Sequence, residues 1–310
     1  MKRFFPWMAA ALAIAVMTAI LGCGCENDDD GDTLDDDASG DDDALEPCDV
    51  EPICSAFSND GSEGGFVEVG LSSDGEYVVV RSNGLADHAM GPFGIGPGEA
   101  VEQDQEFQIP IVPSFPDETE THGGAIAVLY NGLALYDPWD YVETGGCRNN
   151  ALVVRAASFD DYEGHPQQSG QYHHHTGGFL RHAGELGLTH SASEHSQLLG
   201  YSFDGFPIYG PYGYADPDDA GSGIKRLEPC YFIKAERDCC TDEDVCGTGA
   251  AFDGVTLTMG AFIEDYEYDA GDDCDLNEYN MRFQVTPEYP TASGLTFSRS
   301  TKTATPSFRS

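Results

Sequence analysis

Positive charge is what this chain has least of. Fourteen Lys and Arg stand against 55 Asp and Glu over 310 residues, and none of the fourteen lies between Arg3 and Arg81. A formal net charge of −41 repels nucleic acid and anionic membrane surfaces, so it argues for solubility and against a polyanionic partner. Also missing are a serine-centred nucleophile elbow, a phosphate loop and a dinucleotide fingerprint, which leaves no sequence ground for those enzyme classes. No long amphipathic helix and no repeat of fixed period appears, which argues against helical bundles and solenoids. The ten cysteines include no C-x-x-C pair, so zinc is a poor account of the cluster from Cys230 to Cys246.

What is present begins with an export signal. Basic Met1-Lys2-Arg3 precedes an apolar run from Phe4 to Ile20, broken only by Pro6 and Thr18 and short for a membrane span. The run ends in Ile20-Leu21-Gly22-Cys23, which resembles a bacterial lipobox. Residues 1–22 are therefore expected to be a lipoprotein signal peptide and Cys23 the lipidated N-terminus that binds the membrane. An ordinary signal cut nearby, leaving Cys23 and Cys25 as incidental thiols, is the other reading, and both export the protein. Gly24, where an aspartate would follow Cys23 in retained lipoproteins, directs the chain to the outer membrane of a Gram-negative host. Loss of residues 1–22 removes two basic residues and no acidic ones, leaving 12 against 55 and a formal net of −43.

Residues 23–50 carry Glu26-Asn27-Asp28-Asp29-Asp30-Gly31 and further Asp clusters at 35–37 and 41–43, a composition that repels itself and buries no core. They are expected to form a disordered acidic tether; the faint calcium-loop cadence of Glu26, Asp28 and Asp30 follows from the same low complexity. The remaining cysteines are Cys48, Cys54, Cys147, Cys230, Cys239, Cys240, Cys246 and Cys274. An even set in an exported chain reads as disulfides, with Cys48 and Cys54 closing a local loop and the other pairings open.

Residues 51–310 make the globular part. Short β-branched or aromatic runs at Gly65–Leu71, Glu76–Ser82, Glu106–Val112, Ala125–Tyr130, Ala151–Ala156 and Gly254–Thr258 read as strands between Gly/Pro-rich loops. Asn131-Gly132, between Tyr130 and Leu133, is a hairpin-turn signal. The expected fold is all-β and sandwich-like.

All nine histidines lie between His88 and His195, six of them from His173 onward. If the Tyr172-His173-His174-His175 segment is a strand, His173 and His175 share one face while Tyr172 and His174 share the other. Two imidazoles so placed can grip one transition-metal ion, with His165 or His88 as the expected further donor. Neutral imidazole suits copper, zinc, iron or nickel, copper and zinc being preferred here. Structural histidines packed among tyrosines, and metal-free acid/base catalysis, are the rival readings. His182, His190 and His195 sit in a Gly/Ser-rich loop and read as solvated. Asp204 in Phe203-Asp204-Gly205 can orient a histidine ring, as can Tyr172 and His174, although a plain turn explains Asp204 as well.

Four pieces in order resemble the bacterial YHYH-domain proteins: Arg81 to His88; Gly164-His165-Pro166 leading to Tyr172 through His175; Leu199 to Tyr212; and Val285-Thr286-Pro287-Glu288-Tyr289-Pro290. The resemblance implies an exported or lipid-anchored domain and brings no established activity. The third motif position here is His174 instead of Tyr, which leaves the His173 and His175 pair intact. After Pro290, relatives tend to continue with Asp-Gly and an aromatic strand, whereas this chain reads Thr291-Ala292-Ser293-Gly294. A one-nucleotide shift on back-translation can restore that pattern, so residues 291–310 are expected to be a frameshifted tail. The resulting expectation is an envelope lipoprotein that binds a transition metal, with a metal-dependent hydrolase or oxidase, or a metal-free adhesive protein, as alternatives; sequence names no protein partner.

Overall fold

The computed structural model describes residues 45–291, except 97, 114–120, 122 and 272–273, together with 297–300. The signal peptide, Cys23, nearly all of the acidic tether and most of the tail therefore lie outside the described residues.

The first three strands, β1 (Val67–Leu71), β2 (Tyr77–Ser82) and β3 (Gln105–Pro110), form an antiparallel sheet with β2 in the centre. Val78 and Val80 of β2 and Ile109 of β3 are buried, as the apolar runs require. β4 (Ala125–Leu129) and β5 (Ala134–Tyr136) follow, joined at Asn131-Gly132, where Gly132 takes φ +83°. β6 (Trp139–Thr144) and β7 (Cys147–Asn150) make a separate irregular hairpin. Then come β8 (Gly164–Pro166), β9 (Tyr172–His174), β10 (Leu198–Ser202) and β11 (Pro207–Tyr209). β12 (Tyr212–Asp216) and β13 (Asp219–Arg226) form a hairpin, and β14 (Tyr231–Ile233) precedes a small hairpin of β15 (Ala251–Phe252) and β16 (Val255–Thr256). β17 (Tyr266–Tyr268) returns to pair with β14, and β18 (Met281–Phe283) and β19 (Phe297–Ser300) close the series.

An eight-stranded mixed sheet is the backbone of the domain, in the order β18-β19-β11-β10-β4-β5-β9-β8. One face meets the three-stranded sheet through Val78, Val80, Ile109, Val128, Tyr201 and Tyr209, which gives the sandwich-like core. Leu129, Leu135, Leu199 and Ile208 belong to a second core, closed by Phe179, Leu180 and Leu188 from a 3-10 turn and the loop after it. Among the described residues no helix is long and apolar enough to cross a membrane.

The run at Ala151–Ala156 is a correction to the strand expected there. It forms α1 (Ala151–Val154), followed by a 3-10 turn at Ala156–Ser158. Asn150 ends β7 and accepts the Leu152 N–H through Oδ1 at 3.1 Å, so a side-chain cap overrides the β preference of two valines. Of the expected strand at Gly254–Thr258, only Val255–Thr256 pairs, opposite Ala251–Phe252.

Four disulfides staple the domain: Cys48–Cys54 as expected, then Cys147–Cys239, Cys230–Cys274 and Cys240–Cys246. The thiols from Cys230 to Cys246 are thus consumed in bridges. Four bridges belong to an oxidising, extracytoplasmic compartment.

Candidate metal centre

β8 and β9 pair antiparallel with His165 directly opposite His173, and β9 lies parallel to β5 with Ala134 beside His173. Directly opposed residues project on one face of a sheet, so both imidazoles leave on the same side. His175, just past the end of β9, returns to that side two residues on.

The three Nε2 atoms form a triangle: 3.1 Å from His165 to His173, 3.2 Å from His173 to His175 and 3.4 Å from His165 to His175. Nitrogens held about 2.0–2.1 Å from a tetrahedral ion stand about 3.3–3.4 Å apart, so the triangle has the size of one zinc-like or copper-like site.

The other ring nitrogens explain why these three atoms converge. Nδ1 of His175 lies 2.6 Å from the Asp137 carbonyl, and Nδ1 of His173 lies 3.1 Å from the Gln171 carbonyl. A carbonyl oxygen only accepts, so each Nδ1 carries the proton. Nδ1 of His165 lies 2.7 Å from Ser158 Oγ, whose own hydrogen goes to the Arg155 carbonyl at 2.7 Å, so Nδ1 donates here too. In neutral rings all three Nε2 atoms therefore present bare lone pairs to one another.

Protonation does not relieve that repulsion. All three rings are buried, and burial pushes the pKa of His165 down to about 3 and that of His175 down to about 4. Burial, with the two neighbouring imidazoles, holds His173 well below the ordinary range as well. Aromatic rings fix the orientation. Tyr136 stacks on His173 with centroids 3.9 Å apart, and Phe159 tilts against His165 at 4.5 Å.

The centre is open on one side. The three imidazoles line a cleft of about 1020 Å³, together with Tyr136, Trp139 and Arg155.

Of the four histidines expected as donors, the structure brings together His165, His173 and His175 as a possible metal site, and His88 is not among them. His88 sits with the side chains on the other face of β9. Its Nδ1 lies 3.0 Å from Asp87 and its Nε2 lies 3.3 Å from the Tyr172 hydroxyl, which donates to Asp160 at 2.8 Å. His174, completely buried, lies on that face too, with Nδ1 3.3 Å from the Glu163 carbonyl. Tyr172 and His174 thus reach the centre through the backbone they share with His173. Asp204 serves its own turn between β10 and β11, accepting from Ser202 Oγ.

His195 departs from the solvated position expected of its loop: it is buried against Tyr209 and Tyr214. Ser158, Phe159, Asp137 and Tyr136 carry no sequence signal for a role at the centre. Ser158 comes into place only because α1 replaces the strand expected at 151–156.

Fold and centre together define a class: a disulfide-stapled extracytoplasmic β domain with three buried imidazoles facing a cleft. The chain belongs to the YHYH protein family, whose model matches residues 106–307. The match takes in His165, the His173–His175 run, Leu199 to Tyr212 and the tail as far as 307, while Arg81 to His88 precede it. No curated protein and no solved structure matches the chain.

Proposed function

We propose that the domain binds one transition-metal ion through Nε2 of His165, His173 and His175, leaving the ion's remaining positions toward the cleft. The observation that carries this is the tautomer argument. Three buried rings whose Nδ1 hydrogens are all committed aim bare Nε2 atoms at one point, and a metal ion turns that repulsion into bonding. Packing histidines would instead satisfy Nε2 with separate donors. Three nitrogen donors with an accessible fourth side are the layout of catalytic sites more than of closed structural ones. The cleft therefore favours a metal-dependent enzyme over a storage protein.

The N-terminal segment supplies an address. Lipidation of Cys23, with the acidic stretch to residue 50 as tether, holds the domain at the cell envelope, in a Gram-negative host at the outer membrane. Globomycin-sensitive processing and a lipid mass on a peptide beginning at Cys23 would establish this.

Elemental analysis of protein supplied with zinc or copper tests the centre. One equivalent per chain is expected, lost in His173→Ala and His175→Ala and kept in His174→Ala and His88→Ala. A folded parent protein that takes up neither metal rules out the centre.

A further inference from the structure

The wall of the cleft formed by β6 is built at a conformational cost. β6 and β7 pair Trp139 with Asn150 and Glu143 with Arg148, so four steps along β6 match two along β7, and residues 140–142 form a bulge. Tyr141 at its tip has φ +59°, a left-handed conformation unfavourable for a bulky L-residue, and its side chain is 74% exposed. No burial compensates for the strain at that ring. Trp139, beside it at 5.6 Å, is fixed by a hydrogen bond from its indole N–H to the Val142 carbonyl at 3.2 Å. Gly123 makes room for both rings: a Cβ there would stand 3.0 Å from the Tyr141 ring and 3.5 Å from that of Trp139. Ile95 and Val142, both exposed, join them on the cleft, and Tyr136 continues the aromatic wall to His173.

The polar groups of the cleft limit what such a wall can hold. Gln167, Gln168 and Ser169, in the turn between β8 and β9, offer exposed amides and a hydroxyl. Among the described residues Arg155 is the one Lys or Arg lining the cleft. It is already engaged, by Asp140 and by Asp253, each at 2.8 Å. With a chain charge of −41, this leaves no free cationic side chain along the wall to attract an anionic substrate. A ligand with apolar ring faces and uncharged hydroxyl edges fits both sets of groups. The volume of about 1020 Å³ lies at the upper end for ligand pockets and exceeds what a single small ring fills.

We propose that the cleft binds an uncharged oligosaccharide, its sugar rings stacked on Tyr141 and Trp139 and the chain leading past Tyr136 to the three imidazoles. What is done to the chain there rests on the reading of the centre as a metal site; how it is held rests on the bulge alone. The tight, strained tip is what keeps Tyr141 aimed outward.

Titration with cellohexaose, mannohexaose and N-acetylchitohexaose, followed by indole fluorescence and calorimetry on metal-free and zinc-loaded protein, tests this. The chain has two indoles, and Trp7 lies in the proposed leader, so a Trp139→Phe control isolates the signal. At least one sugar is expected to bind saturably, and Tyr141→Gly to weaken it about tenfold. Because glycine prefers the φ at this position, that variant should melt at or above the parent temperature, which separates lost stacking from lost folding. Binding that survives without metal supports the stacking wall whether or not the centre takes an ion. No binding of the three sugars to either form, unchanged affinity in Tyr141→Gly, or saturation by a tyrosine-containing peptide in place of the sugars overturns the proposal.

Discussion

At the scale of single residues, the centre depends on where hydrogens sit. A histidine supplies a lone pair at Nε2 only while Nδ1 keeps its proton, and two backbone carbonyls and one serine enforce that here. The serine is the replaceable part. Ser158→Ala removes the acceptor for Nδ1–H of His165 and frees that ring to adopt the other tautomer. Metal affinity should fall about 10–100-fold, as for other groups that orient metal-binding histidines, with the fold retained. Competition titration against a chelator measures it, and unchanged affinity would mean that Phe159 packing alone orients the ring. The sequence made the imidazoles visible because histidine is scarce and these are crowded together. It hid Ser158 and the Asp137 carbonyl, since a serine seven positions before His165 and a carbonyl 38 before His175 have nothing local to distinguish them.

At the scale of elements, the short β8–β9 hairpin holds two of the three ligands, so its register sets the triangle. A slip of one residue would send His165 and His173 to opposite faces. Gly164 guards that register from within: a Cβ there would stand 2.1 Å from the Tyr172 hydroxyl and 2.2 Å from its ring. Gly164→Ala is therefore expected to push the Tyr172 ring off Asp160, disturb the hairpin, cost about 1–3 kcal/mol and weaken metal binding. Chemical denaturation and metal titration of the variant check both effects. β1 to β4 were legible from β-branched runs and β5 from Asn131-Gly132, whereas β8, β10, β11, β18 and β19 of the larger sheet carry no such run. The segment at 151–156 was not, because one asparagine cap outweighs the propensity of Val153 and Val154 and is decided by where β7 ends. The pairing of β5 with β9, which lays Ala134 beside His173, joins segments too far apart in sequence for any local pattern to reveal.

At the scale of the whole molecule, covalent bridges and buried neutral imidazoles set the conditions under which the domain survives. Cys147–Cys239 ties the end of the β6–β7 hairpin to a segment 92 residues on, a loop long enough that closing it restrains the unfolded chain by several kcal/mol. Replacing both cysteines by serine should lower stability by about 2–5 kcal/mol in denaturant titrations, with the bulge at 140–142 loosened first.

The pH response of the metal-free protein follows from four buried rings on one short stretch of sheet. Burial lowers the pKa of His165, His173, His174 and His175, to about 3 for His165 and His174 and about 4 for His175, against the 6.5 of an ordinary solvent-exposed imidazole. Above pH 6.5 neither the folded nor the unfolded chain protonates them, and they place no pH dependence on stability. As the pH falls below 6.5 the unfolded chain takes up protons that the folded one refuses. Stability must therefore decline until the folded values near 4 and 3 are reached. Each ring contributes a slope of at most about 1.4 kcal/mol per pH unit in that window. Melting temperature in the absence of metal should thus drop steeply from pH 6.5 to 5. His174→Phe, which keeps an aromatic ring in the same pocket and cannot protonate, should flatten the slope by about a quarter of the four-ring total. An unaltered slope in that variant would show that the rings are not the groups whose protonation unfolds the domain.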